Sequence, residues 1–158
     1  MYLVAYDGSQ LANAALSRAE TFATQTGQEV LAVAVVPDDA AYAVEAGWVP
    51  KKESFDRNAV VSELHRTAVK VAPSASFRSL STGRNPAPGN IVAKLKDVAH
   101  EEKASIVFVG SENAGRVVVP LVSIGGNVAS DDDFDVHIIR HAPPHIRNRY
   151  PKSEFYLS

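Results

Sequence analysis

The chain has 158 residues, of which 46% are apolar and 22% charged, a balance that suits one soluble domain with a buried core. A formal net charge of −2 argues against a general polyanion binder, so nucleic acid is not an expected partner. The lack of cysteine excludes a disulfide framework, a thiolate metal site and a cysteine nucleophile. No apolar run approaches the ~20 residues of a membrane span, and the first strand leaves no room for a signal peptide, so no membrane partner and a cytoplasmic location are expected.

Residues 2–6 read as a buried strand that stops at Asp7-Gly8-Ser9. Ser9 is placed to cap a helix by accepting a hydrogen bond from a free backbone N–H. Leu11, Ala15, Leu16, Ala19, Phe22 and Ala23 then recur with helical period, and Gly27 stands where a left-handed C-terminal cap is usual. Residues 29–36 are a valine-rich, near-continuous apolar run, the mark of a strand buried on both faces in a parallel sheet.

The pattern is lost from Pro37 to Ser54, a segment that holds the lone tryptophan, Trp48. It is long for a loop, so it is either partly ordered or a lid. Helical spacing resumes over residues 56–71, with Val60, Val61, Leu64, Ala68 and Val71 on one side. Residues 74–80 read as a short strand near an edge. After a turn-rich connector, Gly83 to Gly89, Asn90 is a candidate cap for a helix with Ile91, Leu95, Val98 and Ala99 inward. A fourth strand spans residues 104–109, a glycine-bearing loop with a short helix follows, and the last strand is Asp135 to Ile139.

Strands alternate with helices, which predicts right-handed crossovers into a parallel sheet. The expected fold is a single-domain, doubly wound α/β structure over residues 1–141, with five parallel strands, helices on both faces and the first strand central. Asp7 then lies at the carboxyl edge, where open α/β sheets bind ligands. It either meets a ligand or only steadies the turn. The tail, residues 142–158, mixes Arg147, Arg149 and Lys152 with Ile146, Tyr150, Phe155, Tyr156 and Leu157. So many aromatics are unusual in a disordered end, and the tail is expected to pack on its own domain or on a second copy.

Other chemistry is poorly supported. The five histidines are scattered over different elements with no metal-ligand spacing. Asp131-Asp132-Asp133 with Asp135 lacks the glycine and glutamate of a calcium loop. No serine stands in a recognised nucleophile turn, so no catalytic residue is assigned.

Val4-Ala5-Tyr6-Asp7-Gly8-Ser9, Gly83-Arg84-Asn85-Pro86, Ile106-Val107-Phe108-Val109-Gly110-Ser111 and Asp135-Val136-His137-Ile138-Ile139-Arg140 occur in that order and spacing. Together they make the chain resemble the universal stress protein family over roughly residues 2–141. The resemblance implies a homodimer formed through the last strand, Asp135 to Arg140, and one of two branches. One binds ATP; the other acts through a protein partner, whose identity the sequence does not give. In the binding branch Asp7 and Val35 would hold the nucleoside, and a loop of Gly, two residues, Gly, nine residues, then Gly-Ser or Gly-Thr would hold the phosphates.

Here Gly110 is in place, but Asn113 stands at the second glycine, and Ser123-Ile124 stand where Gly-Ser is implied. Setting Ser123 on the family's serine instead puts Val122 at the glycine position. Asparagine tolerates a left-handed backbone, whereas β-branched valine is stiff and bulky. Ser123 could also simply cap the short helix, and Glu112 adds an anion where the family often carries cations, with Arg116 the one cation nearby. The sequence therefore points to a stress-response binding module with a degenerate nucleotide site and no cofactor. The alternative is a member that binds ATP or AMP, with magnesium, and hydrolyses it slowly at most.

Overall fold

The structure is a computed structural model that describes residues 1–110 and 134–149. Strand β1 (Tyr2–Ala5) is buried at every residue, as a central strand must be. It turns into helix α1 (Gln10–Thr26), where the Ser9 side chain accepts from the Ala12 N–H at 3.1 Å. Gly27 ends α1 in the left-handed region, φ 69°. Both helix signals stand where the sequence placed them, because each rests on local chemistry.

β2 (Val30–Val35), also buried throughout, is followed by helix α2 (Ala40–Glu45) and a single 3-10 turn, Lys52–Ser54. The segment from residue 37 to 54 is therefore partly ordered. Asp39 starts α2 by accepting from the Tyr42 N–H at 2.7 Å. Helix α3 (Arg57–Val71), capped by Asp56, leads to β3 (Ser76–Leu80). Helix α4 (Pro88–Glu101) leads to β4 (Ile106–Gly110), and β5 (Asp135–Ile139) is followed by a short helix, α5 (Pro144–Arg149).

One expected cap is corrected. Asn90 does not start α4; the helix begins at Pro88, with Ala87 in the cap position and no side-chain cap bond. Proline is suited to the first helical position, since its φ is preset and its missing N–H would be unpaired there anyway. The asparagine that shapes the approach is Asn85, whose Oδ1 accepts from the Ala87 N–H at 3.2 Å.

The sheet has five strands in the order β3-β2-β1-β4-β5, and every pairing is parallel. The chain fills one side of β1 and then the other, so β1 is central and β3 lies at an edge. Tyr2, Val4, Ala32, Ala34 and Phe108 face α1 and α3; Leu3, Ala5, Leu31, Val33, Val35, Val107 and Val109 face α4. From α5, Ile146 is 3% exposed and joins the α1 side of the core. The loop from residue 111 with its expected short helix, Asp131–Asp133 and the tail beyond residue 149 lie outside the described residues.

Phe108 anchors the α1 side of the core. Its ring lies 5.6 Å from Tyr2, 5.9 Å from Phe22 and 5.0 Å from the His137 imidazole, which stacks on it at 20°. This cluster ties α1 and three strands together, each aromatic pair adding about 0.5–1.5 kcal/mol beyond area burial. Burial lowers the His137 pKa, and the nearby Arg18 cation lowers it further. The folded state thus favours neutral imidazole, and the unfolded chain binds the proton more tightly. This contribution to stability is complete above the unfolded value of about 6.5. It is lost as the pH falls through the folded-state value. Between pH 7.5 and 5 the wild-type melting temperature should therefore fall further than that of His137→Phe, which keeps the stack; equal falls would exclude this role.

Candidate functional site

The carboxyl edge of β1 is built by one tight turn. Gly8 takes φ 79°, a left-handed value that suits a residue without a side chain. Asp7 Oδ1 accepts from the Ser9 N–H at 3.0 Å, so the carboxylate steadies the turn that starts α1. Just before it, the Tyr6 hydroxyl donates to Asn13 Oδ1 at 2.6 Å, a buried bond that fastens the strand end to α1. Asn13 is 1% exposed, and an unpaired acceptor at that depth would cost about 1–3 kcal/mol.

Beside this turn lies a narrow cleft of about 30 Å³, partly open to solvent. Ala5, Val33 and Val35 form its floor, from the two central strands. Ile91 and Leu95 of α4 form one wall, and Tyr42 and Trp48 close the opposite side. Tyr6 and Asp7 complete the rim. Among the described lining residues, Asp7 is the only charged one. The Trp48 indole is 1% exposed, and its Nε1 donates to the Asp7 carbonyl at 2.8 Å. The Tyr42 ring sits 5.5 Å from it, tilted by 55°. The segment from residue 37 to 54 thus lies across the cleft.

The structure brings Asp7 and Val35 together in this cleft. Gly110 lies apart from its walls, at the end of the neighbouring strand β4. A Cβ at Gly110 would come within 2.8 Å of Leu11 Cβ and 2.9 Å of the Leu11 carbonyl carbon. Its lack of a side chain is therefore demanded by the packing of α1, whatever a ligand requires. Asn113, Ser123 and Ile124, with Val122 and Glu112, lie outside the described residues.

Sequence reasoning did not assign Trp48, Tyr42, Ile91 or Leu95 to the site. Ile91 and Leu95 carry a helical apolar signal that serves core and cleft alike. Trp48 meets Asp7 across 41 positions, and no local pattern reports such a contact.

The universal stress protein family matches residues 2–140. The chain belongs to that family. Among solved structures, the universal stress protein UspA from Lactobacillus plantarum is 19% identical with a TM-score of 0.53, covering 88% of this chain and 96% of that one. An Archaeoglobus fulgidus universal stress protein in complex with dAMP is 20% identical with a TM-score of 0.52, covering 88% and 96%. A universal stress protein in complex with cAMP is 22% identical with a TM-score of 0.50, covering 90% and 98%. At such identities the likeness speaks for the universal stress protein fold. No curated protein matches the chain.

The contact at Gly110 gives a direct check on that packing. Gly110→Ala should destabilise the protein by about 1–3 kcal/mol, the usual range for overpacking. Urea denaturation should report it as a lower midpoint at unchanged slope. A change within ±0.5 kcal/mol would show that α1 moves aside freely.

Proposed function

We propose that this universal stress protein is a regulatory module for stress response that acts by binding, as a homodimer, and that its nucleotide site is degenerate. In this reading the cleft takes the nucleoside part of an adenine nucleotide weakly and does not grip a triphosphate. The observation that carries it is the composition of the cleft: apolar strand and helix residues, two aromatic rings, and Asp7 as the one charged group. The apolar and aromatic character of those walls suits a flat ring, which enters the narrow cleft as they move apart. A triphosphate brought to the cleft would meet the Asp7 carboxylate and no lysine, arginine or histidine among the described lining residues. Unit charges about 4 Å apart repel by roughly 4 kcal/mol at an effective dielectric near 20.

The sequence of the phosphate loop supports the same reading. Glycines there let backbone N–H groups approach phosphate oxygens, and this chain carries Asn113 and Ser123, or Val122, instead. A role in binding rather than turnover fits the described lining, in which Asp7 has no histidine, lysine or second carboxylate beside it to move a proton. Dimerisation through β5 is supported by its place at the sheet edge among the described strands and by Ile138, 40% exposed on it. An edge strand with an exposed apolar side chain readily pairs with another chain.

The second reading, retained AMP or ATP binding with slow hydrolysis at most, draws support from the relatives solved in complex with cAMP and dAMP. Magnesium would enter there with the phosphates.

Calorimetric titration with adenosine, AMP and ATP, each with and without magnesium, separates the two. Adenosine and AMP should saturate between about 0.1 and 1 mM, and ATP should bind at least about tenfold more weakly, roughly 1.4 kcal/mol. Micromolar ATP binding would overturn the degenerate site, and a flat trace for adenosine at millimolar concentration would remove the nucleoside from the reading.

A further inference from the structure

The strap over the cleft is held at both ends and in the middle. At its start the Asp38 N–H donates to the Gly83 carbonyl at 2.7 Å, tying it to the connector after β3. At its far end Arg57 Nε donates to the Val36 carbonyl at 2.8 Å. Between these ends the Trp48 Nε1–H donates to the Asp7 carbonyl and helps to fasten the strap to the turn after β1. Gly47, directly before Trp48, takes φ 81°, with open space where a Cβ would stand.

The indole is almost wholly buried, so its faces are already covered. With Tyr42 it lines the cleft alongside Val33, Val35 and Leu95 and leaves about 30 Å³ free there. We propose that Trp48 sets ligand access to the cleft: a nucleoside reaches the inner walls when the indole N–H leaves the Asp7 carbonyl and residues 40–48 swing outward. This rests on the reading of the cleft as a nucleoside site. The observed affinity is then the intrinsic affinity multiplied by the fraction of molecules whose strap is open.

Trp48→Phe keeps an aromatic ring in the cleft and deletes the latch. One net hydrogen bond corresponds to about a two- to tenfold change in an equilibrium. Adenosine should accordingly bind Trp48→Phe about two- to tenfold more tightly than wild type by calorimetry. Equal or weaker binding would overturn the proposal, because Trp48 would then be a fixed wall on which the base stacks.

Amide hydrogen exchange tests the latch without ligand. In Trp48→Phe the N–H groups of Ala43, Ala46 and residue 48, all hydrogen-bonded within the strap, should exchange at least about twofold faster, with β2 unchanged. Unchanged strap exchange, or equal acceleration in strap and sheet, contradicts the proposal. If neither protein binds adenosine, the nucleoside reading of the cleft fails, and the exchange comparison alone then decides for or against the latch.

Discussion

Helix α1 starts where strand β4 ends, with no room between them for a methyl group. A Cβ on Gly110 would sit 2.8 Å from that of Leu11. This close approach governs the carboxyl edge of the sheet. It fixes the first turn of α1 against β4, and with it the Ser9 cap, the Gly8 turn and the height of Asp7 above β1. The buried Tyr6–Asn13 bond holds the same junction from the strand side. The Asp7 carbonyl is thereby set where the Trp48 indole reaches it. One packing constraint thus propagates from sheet to turn to strap, and the cleft takes its shape from all three.

That architecture separates two demands that a nucleotide makes. In the proposed reading the base lies against apolar residues of β1, β2 and α4 that also build the core. The phosphates need backbone N–H groups from a glycine-rich loop, and the sequence beyond Gly110 departs from that pattern at Asn113 and Ser123. A chain can therefore keep the slot for the sake of its fold while losing the phosphate grip.

Features that depend on near neighbours were legible in the sequence. The helical stripes of α1, α3 and α4, the buried run of β2, the Ser9 cap and the Gly27 stop all rest on chemistry within a few residues, and strand ends differ from expectation by one or two positions. Helix α2 was not legible, because six residues span less than two turns and show no amphipathic period, although Asp39 ahead of Ala-Ala-Tyr-Ala is a cap signal. Asn90 was misread since the preset φ of Pro88 outweighs a cap two residues later. Asp7 was placed at the carboxyl edge from the end of the first strand and Val35 came from the family resemblance; both line the cleft. The Trp48 contact and the reason for Gly110 were not, since both are set by residues brought together only in the folded sheet.

The central claim is that the cleft beside Asp7 takes a nucleoside and declines a triphosphate. Trp48 is the only tryptophan, so the protein has a single indole N–H resonance, and it reports from that cleft. Titrated with adenosine, this resonance should shift or broaden saturably, while ATP with magnesium at the same concentrations leaves it in place. A resonance that ATP moves at lower concentration than adenosine, or that adenosine never moves, would contradict the account.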